Sequence, residues 1–420
     1  MSASGSHMSP ITLDQPNSEL LPKGWQRARI GSVARMESGH TPSRKVPGYW
    51  EGGEVPWLSL KDIRGLNGPY VYETHDMPTA MGIENSSARV LPKGTVALCR
   101  TASVGKVAIL GKDMATSQDF VNWVCGPALL PEYLYAAICG SGVEFDRLKQ
   151  GSTHKTIYMP ALERFHVLLP PLPEQRRIAD ILDKADTVRR KRQEAIRLSE
   201  QFLRSTFLET IGPGHPDHDS WPLRRFEELA DGEGAVRSGP FGSDLLHSEF
   251  VSEGVAVLGI DNAVQNRFQW GERRYITPEK YANLRRYTVK PGDVLVTIMG
   301  TTGRSAVVPD DIPTAITTKH LATFSVRRAM IEPEVLSHAI HLHPAVLRQI
   351  DAKNRGAVMP GLNLGLIKSL EIRLPPIEVQ RSFVAQLSRL RKVAATAESA
   401  AEVAHGLFDT LVQRAFRGEL

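Results

Sequence analysis

The stretch "LPPLPEQRRI" (169–178) returns 205 residues later as "LPPIEVQRSF" (374–383). Repetition at that distance constrains the chain more than composition does, because each copy must find the same local fold. Other pairs follow in the same order. "WQRARIGSVARMESG" from Trp25 faces "WPLRRFEELADGEGAVRSG" from Trp221, and "VPWLSLKD" from Val55 faces "VAVLGIDN" from Val255. "LPKGTVALCRTASVGKVAI" faces "VKPGDVLVTIMGTTGRSAVV", with Gly94 and Gly105 matched by Gly292 and Gly303. "PEYL" at Pro131 faces "PEVL" at Pro333, and Met159-Pro160 faces Met359-Pro360. Shared order at a near-constant offset marks a tandem duplication, each copy a globular module followed by a helical one.

The globular modules read as strand-rich, since short β-branched runs such as "KGTVALC" and "GDVLVTIM" sit between glycine-containing turns. A helix is expected over "PEYLYAAICGSGVEFDRLKQ" and another over "PEVLSHAIHLHPAVLRQIDA", each with proline near its start. In the last helical module Phe383, Leu387, Leu390, Ala394, Ala397, Ala401, Ala404, Phe408, Leu411 and Ala415 alternate four and three apart, which is a heptad seam. The first helix carries a less regular seam: Ile178, Ile181, Ala185, Val188, Arg192, Ile196, Ser199 and Leu203. At ~1.5 Å per residue each helix is roughly 55 Å long.

The expected fold class is therefore α+β: two strand-rich globular domains separated by a long antiparallel coiled coil of two helices, related by a pseudo-two-fold axis in a dumbbell. The rival is two tandem domains, each folding its helix back on itself. The expected boundaries are 8–173 and 213–377 for the globular domains, and 174–212 and 378–420 for the helices. The opening "MSASGSHM" reads as an expression scar over 1–7, with the natural start near Met8.

At 420 residues, two to four domains are expected. Lys+Arg 51 against Asp+Glu 46 gives +5, mildly basic and compatible with nucleic acid without requiring it. Cys99, Cys125 and Cys139 form no C-x-x-C pair, which speaks against a disulfide framework or zinc finger and suits a reducing cytoplasm. No apolar run approaches the ~20 residues needed to span a bilayer.

The usual catalytic patterns do not emerge. "LPPLP" lacks the polar residue before and the aromatic after the prolines of an amino-methyltransferase pocket. "GTTGRS" (300–305) lacks the spacing of a phosphate-binding loop. "HPDHD" (215–219) could pair His215 and His218 on a metal, but a solvated loop is the simpler reading. "RRKR" (189–192) points around a whole helix circumference and forms no single basic face. The chain reads as a recogniser or scaffold.

Matching loops carry the polar and basic residues. In the first copy they supply Thr41, Ser43, Arg44 and Lys45, then Arg100, Thr101, Ser103 and Lys106, then Ser152, Thr153, His154 and Lys155. In the second they supply Arg237 and Ser238, then Thr301, Thr302 and Arg304, then Thr318, Lys319 and His320, then Asn354 and Arg355. Lys61, Gln118 and Asn262 complete the candidates. Hydroxyls, backbone N–H groups and cations on glycine-containing turns suit phosphate oxygens, and Arg, Lys, Gln, Asn and His can read base edges. A scaffold whose two heads bind proteins, with incidental basic loops, is the alternative.

The two proline-to-helix segments, the ending "QRAFRGEL" and the duplicated "SGHTP…YWEGGEVPWLSLKDI" and "LPKGTVALCRTASVGKVAI" modules together resemble the specificity (S) subunit, HsdS, of type I restriction–modification systems. The resemblance covers essentially the whole chain. It implies two target-recognition domains, each reading half of a bipartite, gapped site in double-stranded DNA. It also implies that the helices measure the spacer and dock two methyltransferase subunits. The coil and docking candidates are then Gln175, Ile178, Ile181, Ala185 and Val188 on the first helix. On the second they are Gln380, Phe383, Leu387, Leu390, Ala394, Ala401, Phe408 and Leu411. S-adenosylmethionine, ATP and Mg²⁺ would belong to the methyltransferase and restriction subunits, and this chain would hold no cofactor or metal, catalyse nothing and work in the cytoplasm without a membrane. The second proline segment departs from the first in reading "IEVQ" for "LPEQ".

Overall fold

The computed structural model describes residues 10–12, 21–148, 156–354 and 361–420. It divides into two compact units, Met1–Ala195 with Ala397–Leu420, and Ile196–Thr396. Each unit therefore takes part of both long helices along with one globular module.

In the first unit the main sheet comprises β1 (Ala34–Ser38), β2 (Tyr70–Val71), β3 (Val96–Cys99), β4 (Val107–Leu110) and β5 (Phe120–Cys125), in the spatial order β1-β5-β3-β4-β2. β3 and β4 are aliphatic at nearly every position and wholly buried, as expected of central strands covered on both faces. Their register sets Val96 opposite both Ile109 and Trp123. Trp123, Tyr133, Phe145 and Phe165 fill the core beneath, each ring contributing about 1.5–3 kcal/mol through burial.

α1 (Pro131–Cys139) opens on its proline, whose missing N–H is not needed in a first turn. The single helix expected here is two: α1 ends at Gly140, and a second short helix covers Gly142–Leu148. A Cβ on Gly140 would meet Val412 at 2.7 Å, so the break lies where the end of the C-terminal helix packs.

α2 (Leu172–Thr210) starts two residues before the expected 174. Its first half packs through Ile178 and Leu182 into the same core as Phe408, Val412, Ala415 and Phe416. Tyr133 and Phe416 lie 5.8 Å apart, the Arg189 guanidinium stands 5.0 Å above Phe408, and Arg177 bonds the Leu420 carbonyl. Numbers rise along one helix as they fall along the other, so within this unit the two run in opposite directions. The seam differs from the expected one: it passes through Leu182 and Asp186, while Ile181 and Ala185 are half-buried at its flank. Val188 is 47% exposed and leaves the seam. Asp186 holds both Arg189, at 2.5 Å, and Arg190, at 2.8 Å, which turns those arginines inward and leaves Lys191 and Arg192 exposed.

In the second unit β6 (Val236–Ser238), β7 (Val255–Leu258), β8 (Tyr275–Ile276), β9 (Val294–Thr297), β10 (Ser305–Val307), β11 (Ala315–Thr317) and β12 (Leu321–Phe324) form two sheets, ordered β6-β12-β9-β10 and β8-β7-β11. The first repeats the order β1-β5-β3-β4. α3 (Pro333–Leu342) is cut from the next helix, Pro344–Asn354, by Pro344, so the single helix expected here is also two. α4 (Ile377–Ala415) follows, beginning one residue before the expected 378. In this unit Phe383 and Leu387 are buried beside Phe207, whose ring centre is 5.4 Å from that of Phe383. Along the heptad seam Leu390, Ala394, Ala401 and Leu411 are half-buried, and Phe408 is buried.

The segment around His215 and His218 is the solvated loop expected, with Pro216, Asp217 and Asp219 exposed, but the two imidazoles are partly covered. Both rings pack on Trp221, and His218 stacks 5.8 Å from His343. Among the described residues no group of three or more His, Cys, Asp or Glu side chains could hold a metal ion. The three cysteines are free, and burial pushes the Cys125 thiol up to about 12. No described helix is long and apolar enough to cross a membrane.

Candidate nucleic-acid interface

Three loops converge at one edge of the first unit's main sheet. Gly39 N–H donates to the Phe120 carbonyl (3.2 Å) and His40 N–H to that of Thr116 (2.9 Å), which ties loop 38–45 to loop 116–119. Arg100 N–H donates to the Asp119 carbonyl (2.8 Å), which brings in loop 100–106. That loop is itself closed by Cys99 N–H to Lys106 O (2.8 Å) and Gly105 N–H to Cys99 O (3.1 Å).

The second unit repeats the pattern. Gly239 N–H donates to Leu321 O (3.3 Å), Ile298 N–H to His320 O (2.9 Å), Thr297 N–H to Arg304 O (2.8 Å) and Gly303 N–H to Thr297 O (3.0 Å). Two pairs of glycines make the design possible. A Cβ on Gly39 would overlap the Ser117 carbonyl, and one on Gly239 the Thr317 carbonyl, so only glycine lets these strands cross. Gly105 and Gly303 turn their hairpins at φ 94° and 76°, where side chains are strained.

The side chains on these matched frames differ. In the first unit the Arg44 guanidinium lies 3.4 Å above the Trp50 ring and donates to Asp76 Oδ2 at 2.6 Å. Trp57 meets Trp50 edge-on at 5.2 Å, and the indole N–H groups of Trp50 and Trp57 donate to the Ser43 and His40 carbonyls. Ser43, Lys45, Lys61 and Gln118 are exposed on the same side, with Lys61 3.9 Å from Asp76. Thr41 donates to Gln118 and Thr101 to Asp119, while Ser103 accepts from Arg64 at 3.2 Å.

In the second unit a cleft of about 410 Å³ opens beside the crossing strands, lined by residues including His247, Asp261, Arg274, Thr318, Lys319 and His320. Burial first, and Lys319 second, hold the His320 imidazole below its ordinary value, so near neutral pH it can both donate and accept. Thr318 Oγ1 is buried with no hydrogen-bond partner among the described residues. Thr301 and Arg304 are exposed and Thr302 half-buried on the neighbouring hairpin, with Ser238 half-buried at the end of β6.

Several sequence candidates are structural instead. Arg237 is spent on Asp293 (3.2 Å), the Thr288 carbonyl and Ser325, with only 19% of its side chain exposed. Asn262 is buried and accepts from Gly259 N–H at 2.8 Å, the role Asp62 performs for Ser59 in the first unit. Lys106 and Arg100 remain candidates: Lys106 is exposed although its ammonium donates to the Arg64 carbonyl at 3.1 Å, and the buried Arg100 Nε has no hydrogen-bond partner among the described residues. Gln175 and Gln380 offer nothing to a docking partner, because both are wholly buried. Gln175 accepts from Leu130 N–H and donates to the Ala128 and Pro170 carbonyls, each at 2.9 Å. Gln380 accepts from Glu332 N–H (2.9 Å) and donates to the Met330 (3.0 Å) and Pro375 (2.9 Å) carbonyls. The two proline segments therefore latch in the same way, whatever separates "LPEQ" from "IEVQ". Ser152, Thr153, His154, Lys155 and Arg355 lie outside the described residues, as does the side chain of Asn354. Sequence reasoning missed Trp50, Trp57 and Asp76. The aromatic residues that follow "SRK" in "SRKVPGYWEGGEVPW" were the available signal.

The type I restriction modification DNA specificity domain model matches residues 22–198 and 262–404, one stretch in each half of the chain. The chain belongs to that family. It is 21% identical over 389 residues to the type I restriction enzyme MjaVIII specificity subunit of Methanocaldococcus jannaschii, covering 88% of this chain and 87% of the relative. With the MjaIX specificity subunit of the same organism it is 28% identical over 195 residues, a match that spans 45% of each. The S subunit of an M. genitalium type I restriction–modification system has a similar fold, with a TM-score of 0.53 at 14% identity over 93% of this chain and 96% of that one.

Proposed function

We propose that this chain is the non-catalytic sequence-reading subunit of a type I restriction–modification complex. Each unit reads one half of a bipartite, gapped site in double-stranded DNA, and the long helices form an antiparallel coiled coil that sets the spacer. A 39-residue helix is about 58 Å long, a span of at most about 17 base pairs. Methyltransferase subunits dock on the helices and, with restriction subunits, bring S-adenosylmethionine, ATP and Mg²⁺. Apolar side chains left exposed on the helices favour such docking: Val188, Leu198 and Phe202 on α2, and Val393, Val403 and Leu407 on α4.

The observation that carries the proposal is one hydrogen-bonded loop frame built twice with different side chains on it. A two-part DNA word requires that arrangement, one scaffold with two reading surfaces. Co-purified with its methyltransferase, the chain should protect a single gapped sequence from nuclease digestion, and alone it should methylate nothing. Methyl transfer by the chain alone would overturn the proposal. Protection of no sequence, together with DNA affinity unchanged when Lys45 and Lys319 are replaced by Ala, would favour a protein-binding scaffold.

A further inference from the structure

Within the proposed function, and resting on it, the first unit contains one side chain built for reading a base. We propose that Arg44 reads a guanine through the major groove in the half-site of the first unit. Trp50 and Asp76 act as positioning residues that hold its fork.

Reading guanine requires two parallel N–H donors presented to O6 and N7 in a fixed plane. Arginine has the donors, but a free arginine loses rotamer entropy when it is fixed, which weakens the contact, and it can tilt to meet acceptors in other geometries. Arg44 is fixed beforehand. Its guanidinium carbon stands 3.4 Å from the Trp50 ring centre, which holds the group against that face, and its Nη2 is anchored to Asp76 at 2.6 Å, which restricts its rotation there. Trp50 is in turn pinned by its N–H to Ser43 O and by the edge of Trp57. Half of the Arg44 side chain stays exposed, and Asp76 takes only one Nη2–H, so the second Nη2–H remains beside Nε and Nη1, which have no hydrogen-bond partner among the described residues, to complete a parallel pair.

Its neighbours lack this combination. Lys45 is exposed with no described contact, a mobile point charge suited to phosphate. Lys106 is tied to a backbone carbonyl and Arg64 to Ser103. The corresponding position in the second unit is Asp244, with Phe250 in place of Trp50; there Asp244 pairs more loosely with Arg286, at 3.6 Å, whose guanidinium stands 4.7 Å from the Tyr287 ring, so the close stack and short anchor of Arg44 are not repeated at the matched position.

The test is selection by the full chain, with its methyltransferase subunit, from a randomised duplex pool at fixed salt, comparing wild type with Arg44→Ala, Arg44→Lys and Asp76→Asn. Wild type should enrich a gapped motif with an invariant guanine in one half. Arg44→Ala should lose preference at that position alone, by roughly 5- to 150-fold, with every other position kept. Arg44→Lys and Asp76→Asn should relax the same position partially. A wild-type motif that Arg44→Ala leaves intact, while affinity falls uniformly and the salt dependence loses about one phosphate, would overturn the assignment but not the function. A wild type that enriches no motif would overturn the function itself. An unchanged melting temperature for Arg44→Ala would separate these outcomes from misfolding.

Discussion

Gln380 offers the sharpest test of how the recurring segment works. Replacing it with Ala removes three hydrogen bonds at a fully buried position and strands the Glu332 N–H and the Met330 and Pro375 carbonyls. A buried polar group left unpaired costs about 1–3 kcal/mol, and water entering the vacated space would recover part of that, so the net loss should be about 2–5 kcal/mol. The loss should be local to the second unit. Hydrogen exchange reports it directly: protection of the Glu332 amide should fall at least about tenfold in Gln380→Ala, since 1.4 kcal/mol is one decade. The Leu130 amide, which Gln175 caps in the first unit, should not change. Gln175→Ala should produce the reverse pattern. Gln386→Ala, on the same helix and bonded only weakly to Ser382 at 3.4 Å, is the control and should change little. A Glu332 amide as protected in Gln380→Ala as in wild type would show that the latch is not what fixes the helix start.

Three further outcomes follow from the geometry. Burial above all holds the His338 and His343 imidazoles down to about 4, against about 6.5 when unfolded, so the unfolded chain takes up protons first. Stability from these groups is then complete above pH 6.5 and falls toward pH 4, by on the order of 2 kcal/mol per histidine at pH 5; a second-unit unfolding midpoint equal at pH 7.5 and 5.0 would refute it. Arg237→Ala should destabilise by about 3 kcal/mol in denaturant titrations because it leaves the buried Asp293 carboxylate without its cation and held, among the described residues, only by the Lys290 N–H, whereas a loss of DNA affinity with stability intact would contradict the structural role. Lys45→Ala should weaken DNA binding evenly across sequences and reduce the salt slope by about one, and a change in the preferred motif would count against a phosphate contact.

The duplication, the α+β class and the starts of the long helices were legible in the sequence, because proline stops and glycine turns are local signals that a repeat reinforces. The seam of α4 was legible for the same reason, its apolar residues recurring every seven. The seam of α2 was not, because Asp186 and Arg189 occupy it as a paired unit, and pairing is invisible to a hydrophobic count. Both module helices split at Gly140 and Pro344, single residues whose effect depends on what packs against them. Among the interface candidates the loops were legible but not the roles. Arg44 and Arg237 look alike as arginines in the polar segments of the two copies, and only tertiary structure places a tryptophan under one and a buried aspartate against the other.

The matched positions that build the crossing and the latches keep their roles: Gly39 and Gly239, Gly105 and Gly303, Asp62 and Asn262, Gln175 and Gln380. Those that look out change their chemistry: Arg44 against Asp244, Trp50 against Phe250, Gln118 against Lys319. In the first unit the outward residues fill the crossing with a stacked arginine; in the second they leave a cleft edged by Lys319 and His320. If both copies served one symmetric ligand, the outward set would be held as tightly as the set that builds the frame. Divergence in the outward set is what two unlike half-sites read from one scaffold would require.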